Sequence, residues 1–338
     1  MPPALCPSPR EVTEHLRGTA YDVAPAGLVA ALRGLLADGL EALPLPGRGR
    51  TLERWRVLAA VAAHDVALVK LVEGHTDAVA ILAELGGAPP EPGCTWGVWA
   101  AEPPDAQALA TPAGPGLVRL DGRKAWCSGA TELDNALVTC RGPGGERLLA
   151  AVALAQPGVV PQPAGWAAVG MAATGSVDVV LDGALATVVG GDGEYLRRSG
   201  FHQGGAGIAA CWHGAAAGVA APLLSVRRGD GHAAAHLGAA DTALAGSAAV
   251  LREAAAGIDA APSADAALLA ARARSAAELT VDTVLRAAGR ALGAAPLCRD
   301  AGHARRVADL TVFVRQSHAE RDLAAQAALV TDGSGWAL

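Results

Sequence analysis

Apolar positions recur at helical spacing over 28–43 and again over 51–86, and the run Pro44-Leu45-Pro46-Gly47 breaks the two patterns apart. Thr51 ahead of Glu53 and Arg54 marks a helix start, and Gly86-Gly87 with Pro89-Pro90 marks a stop. From Gly93 to about Val189 the texture changes to short runs rich in Val, Leu and Trp, punctuated by Pro103-Pro104, Pro112, Gly114-Pro115-Gly116 and Gly142-Pro143-Gly144-Gly145. Strands are predicted over 136–140, 148–154 and 177–181, with 116–122 entering a hairpin, so this stretch makes an antiparallel sheet or small barrel. Beyond Gly200 the pattern is helical and Ala-rich over 204–227, 232–256, 261–294 and 303–330, with connections short enough for antiparallel neighbours in a four-helix bundle. The fold class is α+β, mainly α: a helical domain over 1–92, a middle β-domain over 93–195 and the bundle over 196–338.

At 338 residues the chain exceeds a usual single domain, and its 51% apolar content supports a large core. Much of that content is Ala, with 42 Gly and only 3% aromatic residues, which favours close helix packing through small side chains. The net charge of −6, without a basic stripe, speaks against nucleic acid as a partner. Six scattered cysteines lack CxxC spacing and read as ordinary buried thiols, neither a disulfide framework nor a zinc site. His232 and His236 stand at i,i+4 without a carboxylate or Cys at ligand spacing, so no metal is expected. No charged-then-apolar leader and no uncharged membrane-length stretch are seen, and the expectation is a soluble cytoplasmic protein with no membrane partner.

The run from Leu120 to Gly129 is strand-like and ends in Trp126, followed two residues later by the hydroxyl of Ser128. An indole packs against the edge of a flavin ring while a hydroxyl and a backbone N–H reach its N5/O4 side. A Trp in a strand also serves as plain core, so the surroundings decide between the two.

Several local sequences, in order, resemble the acyl-CoA dehydrogenase superfamily. Ala62-Ala63-His64-Asp65 followed by Glu73-Gly74-His75 is similar to the family's helix with a small-small-x-Asp run ahead of a His. Trp96-Gly97-Val98-Trp99-Ala100-Ala101-Glu102-Pro103 falls where the family carries a flavin-contacting strand and Thr-Glu-Pro. Gly122-x-Lys124-x-Trp126-Cys127-Ser128-Gly129 matches its Gly-x-Lys-x-Trp-Ile-Thr/Ser motif, and Gly170-Met171 with Ser176 resembles the strand leading to the bundle. The resemblance covers nearly the whole chain. It implies FAD bound between the sheet domain and the bundle, with Trp126 and Ser128 flanking the ring and main-chain groups of Trp99 and Ala101 at its pyrimidine side. It puts Gln107 where the family has a diphosphate-contacting Ser, and it assigns the ADP half to Arg227 or Arg228 and to the turn at Gly293. A homodimer or homotetramer is also implied.

Two departures bear on the chemistry. Ala101 offers a methyl where the family has a hydroxyl, and the family's catalytic Glu, shortly after an Arg-Asp pair on the final helix, is replaced by Arg315, Gln316 or Ser317. Glu320 lies about a helical turn off the expected face. His318 stands nearby, and flavin monooxygenases that share this fold have a His on their last helix that is available to deprotonate substrate. Three readings follow: a FAD-dependent oxidoreductase moving hydride between a small acyl-type substrate, such as an acyl thioester, and flavin N5 without the usual Glu; a monooxygenase using His318, with Ser317 and Arg315 beside it; or a catalytically degenerate binding or partner subunit.

Overall fold

The structure, a computed structural model, describes residues 6–225, 230–331 and 336. Helices α1 (Pro9–Gly18), α2 (Pro25–Ala37), α3 (Thr51–His64) and α4 (Val66–Leu85) precede seven strands, β1 (Trp96–Trp99), β2 (Ala108–Gly114), β3 (Leu117–Cys127), β4 (Asn135–Arg141), β5 (Arg147–Ala153), β6 (Val159–Gln162) and β7 (Val177–Val188). Helices α5 (Glu194–Arg197), α6 (Gly200–Ala220), α7 (Gly231–Ala260), α8 (Ala267–Leu292), α9 (Ala294–Arg299), α10 (Ala301–Phe313) and α11 (Glu320–Leu329) complete the chain, which is mainly helical with one sheet region. Two compact units result, one of Met1–Pro7, Glu14–Leu43 and Ala67–Phe201, the other of Ser8–Thr13, Pro44–Val66 and His202–Leu338.

In the first unit, Pro25 opens α2 with the φ a helix requires, and Leu28, Leu32 and Leu35 bury one face. Strands run in the order β1-β4-β2-β3-β7-β5, and pairing of β5 back to β4 closes a ring; β6 adds to β7. The sheet is mixed, which corrects the antiparallel expectation. One edge of β4 takes β5 antiparallel, while the other edge is shared by β1 in parallel and, at Arg141, by Leu109 of β2. The β2–β3 hairpin and the segment after it supply the crossover that a parallel pair needs. Two register shifts bend β3 along β7. At the first of them Gly122 has φ +120°, and a Cβ there would run into the Gln107 carbonyl. The core of this unit packs Ala78, Ile81 and Leu82 of α4 on Trp96, Leu137, Leu149 and Val189.

In the second unit, α3 and α6 approach so closely that a Cβ on Gly214 or Gly218 would collide with the backbone of Ala59 or Ala63. Such contact is what a Gly- and Ala-rich composition permits. Trp212 is fully buried on α6 and meets Phe313 edge-to-face at 6.5 Å. Asp230 and Asp300 cap α7 and α10 by accepting backbone N–H bonds, and they lie below their usual pKa chiefly because of those bonds. The stretch Gly200–Ser225 is long and apolar enough to cross a membrane by length and composition, unlike the sequence-based expectation, yet 67% of its apolar window is buried inside the protein.

The expected helical boundaries also shift. The 51–86 pattern is two helices, because Asp65 is extended between α3 and α4. The expected final helix over 303–330 is broken: the chain tightens into a 3₁₀ turn at Val314–Gln316, and Ala319 has φ +46°. No Gly or Pro lies there to announce the break, which is held instead by tertiary hydrogen bonds described below. Cys127, Cys140 and Cys211 are buried, but Cys6 and Cys94 are half-buried and Cys298 is exposed, so the uniform picture of buried thiols fails.

Candidate functional site

The sheet unit gathers Trp99, Trp126 and Ser128. Trp99 is buried and its indole N–H donates to the Ser128 carbonyl at 3.1 Å. Ser128 Oγ accepts from Ser176 Oγ at 3.1 Å, and Ser176 in turn lies 2.7 Å from the Thr174 hydroxyl. Trp126 differs from both neighbours: its side chain is 54% exposed and its backbone is left-handed, φ +58°. A left-handed non-Gly residue costs about 1–3 kcal/mol, and such strain collects at functional sites. The Trp126 N–H donates to Asp178 Oδ1 at 3.3 Å, and Arg123 bridges Asp178 at 2.5 Å and Asp105 at 2.6 Å. Asp178 and Arg123 thus hold the turn that presents the indole, a role visible only once the β3–β7 register is known.

Ala101 lies half-buried after β1. Gln107 is exposed, and it is its carbonyl that is engaged, by the Arg123 N–H at 3.2 Å. Gly293 is exposed at the joint of α8 and α9 with φ +67° and ψ −160°. Arg227 and Arg228 lie outside the described residues.

Buried ionisable groups brace the same unit. Lys124 donates to Thr139 Oγ1 at 2.9 Å and to its carbonyl at 3.2 Å, and burial lowers its pKa. Burial pushes the Cys127 and Cys140 thiols up to about 12 and about 11, which leaves both as inert thiols. On α4, His75 Nδ1 accepts the Trp96 N–H at 3.2 Å, so its proton sits on Nε2 and the ring supports β1. Glu73 is buried with Lys70 Nζ at 2.7 Å; burial raises its carboxyl to about 7 against the pull of Lys70.

A carboxyl whose folded pKa is raised favours the protonated form, so its contribution is fully present below the unfolded value of 4.5 and is lost as pH rises through about 7. Between pH 5 and pH 8 the wild type is therefore expected to lose more thermal stability than Glu73→Gln. Parallel Tm-against-pH curves for the two proteins, measured by calorimetry, would count against this assignment.

The helical unit brings Arg315, Ser317 and His318 together at the break between α10 and α11. Arg315 Nη2 lies 3.0 Å from Glu278 Oε1 and Ser317 Oγ donates to Glu278 Oε2 at 2.5 Å, both carboxylate oxygens belonging to α8. Arg274, one turn earlier on α8, donates to the Gln316 carbonyl at 3.1 Å and to the Gly205 carbonyl at 3.3 Å, with its guanidinium 4.7 Å from the Trp212 ring centre. The His318 side chain is 57% exposed; the backbone N–H of His318 donates to Asp322 Oδ2 at 3.0 Å and the ring Nδ1 lies 3.4 Å from Asp322 Oδ1. Sequence reasoning missed Glu278, since nothing in α8 signals that the break will dock there. Among the described residues no group of three metal-ligating side chains occurs.

No family model matches the sequence, and no curated protein matches it significantly. Solved structures do match over nearly their full length. Dibenzothiophene monooxygenase TdsC from Paenibacillus sp. A11-2, in its complex with FMN and indole, is 19% identical with TM-score 0.75, covering 94% of this chain and 93% of its own. Methanesulfinate monooxygenase MsuC from Pseudomonas fluorescens is 19% identical with TM-score 0.77 and 96% coverage of both chains. Butyryl-CoA dehydrogenase from Megasphaera elsdenii is 15% identical with TM-score 0.76, covering 94% and 92%. The chain has the acyl-CoA dehydrogenase fold, which among these matches serves both dehydrogenases and monooxygenases.

Proposed function

We propose that this chain is a flavin-dependent monooxygenase of the acyl-CoA dehydrogenase fold, supplied with reduced flavin by a partner reductase and acting on a small organic substrate. The observation that carries this reading is the α10–α11 break. Where the dehydrogenase resemblance calls for a carboxylate, the side chains of Arg315 and Ser317 are tied to Glu278, both of whose oxygens are occupied. Beside them the His318 ring is exposed, with Asp322 Oδ1 3.4 Å from its Nδ1. In this reading the exposed imidazole is the proton acceptor.

The residues of the sheet unit suit a flavin: an exposed indole for the ring edge, Ser128 for its polar side, and Trp99 bracing the backbone of Ser128. When bound, flavin supplies the redox chemistry with oxygen that no side chain provides. The bound FMN of TdsC supports a mononucleotide as readily as the FAD of the family resemblance. Titration of the purified chain with FMN and with FAD, followed by flavin absorbance, tests cofactor and form together. Trp126→Ala is expected to weaken uptake about 30-fold, the scale of losing an aromatic anchor. Unchanged affinity in that variant would remove the indole from the site.

Oxygen consumption that requires a reductase supports the monooxygenase reading. Anaerobic bleaching of the flavin by an acyl thioester would favour the dehydrogenase reading instead, and a chain that binds neither flavin would be a degenerate subunit.

A further inference from the structure

We propose that Glu278 is a positioning residue for His318, fixing the elbow between α10 and α11 through the hydroxyl of Ser317. The claim rests on the monooxygenase reading for its catalytic consequence, but its structural part stands on the geometry of the helical unit alone.

The elbow has no local reason to form. Its sequence from Val314 to Arg321 contains neither Gly nor Pro, and Ala319 holds a left-handed φ that costs free energy for any residue with a Cβ. A chain of hydrogen bonds offsets that cost. Glu278 Oε2 accepts from Ser317 Oγ at 2.5 Å, and the same Oγ accepts the Ala319 N–H at 3.1 Å, so one hydroxyl links α8 to the strained residue. Arg315 completes the carboxylate's set at 3.0 Å, with Asp282 further off at 3.9 Å. One turn back, Arg274 holds the Gln316 carbonyl, and Ser275 donates to Gln326 Oε1 of α11 at 2.8 Å. The α8 face at 274, 275 and 278 therefore grips the chain on both sides of His318.

Its consequence for His318 is directional. With the elbow fixed, the His318 backbone N–H reaches Asp322 Oδ2 and the ring sits beside the other oxygen, which sets where the imidazole is presented. With the elbow released, the 303–330 pattern is free to run on as one helix, carrying His318 to a different face.

The test compares Glu278→Ala, Ser317→Ala and Ser317→Thr in the full chain. Amide hydrogen exchange over 314–322 is expected to accelerate about tenfold in the two Ala variants, because the protecting hydrogen bonds open. Peptides from α7 and the sheet should keep wild-type exchange, and Ser317→Thr, which restores the hydroxyl, should return the wild-type rate. In turnover assays with reductase and oxygen, the Ala variants should lose about tenfold to a hundredfold in kcat at nearly constant KM. Wild-type exchange over 314–322 in both Ala variants overturns the proposal. If exchange accelerates but His318→Ala itself turns over normally, the catalytic reading of His318 falls and the positioning role of Glu278 stands.

Discussion

Replacing His318 with alanine is expected to lower reductase-dependent turnover by about 10²- to 10⁴-fold while leaving flavin uptake unchanged, the range associated with a general base. Its imidazole is exposed and paired with Asp322, so truncation removes a proton acceptor without opening a cavity, and Tm should hold. Asp322→Asn should reproduce part of the loss, because the carboxylate beside the ring, 3.4 Å from its Nδ1, is then gone. Turnover within twofold of wild type in His318→Ala removes the residue from the chemistry.

The second large effect concerns stability. Asp65 is 1% exposed between α3 and α4, and its Oδ2 accepts from Arg305 of α10 at 2.8 Å, while Arg306 reaches the His64 carbonyl at 3.4 Å. Breaking a buried pair costs about 3–5 kcal/mol, and in Asp65→Ala the guanidinium keeps Asp309 at 3.8 Å as a second acidic neighbour. Arg305 is 31% exposed, which places Asp65→Ala toward the lower figure. Spread over 338 residues, a loss of that size lowers Tm by roughly 4 °C. A Tm in Asp65→Ala within 2 °C of wild type would show that the pair contributes nothing.

How much of this was legible in the sequence depends on the range over which each feature is determined. The alternation of helical and strand texture is a local property, so the sheet segment and the flanking helices were readable, as was the resemblance carried by Gly122 to Gly129. The parallel placement of β1 was not, because Asn135 to Val138 of β4 must arrive from about 40 residues away before the pairing exists. The strand that carries Trp126 was readable, but the residue's conformation was not. Its left-handed φ follows from Asp178, 52 residues further along, accepting its N–H. The elbow at Ala319 was hidden for the same reason: a locally helical sequence is overruled by Glu278 and Arg274. Reading 303–330 as one helix therefore placed Glu320 and His318 on faces of a cylinder that does not exist.

The ring closed by β4 and β5 bears on how the protein behaves in a crowded or heated solution. A closed set of strands offers few open borders to which another unfolding chain can add. Among the described residues the strands outside the ring are β1 and β6, and both borders are blunted. The Trp96 amide of β1 is already occupied by the imidazole of His75. Strand β6 is only four residues long and carries Pro161, which has no N–H to offer a newcomer. The same imidazole that supports one wall of the sheet thus also takes up an amide that an added strand would need.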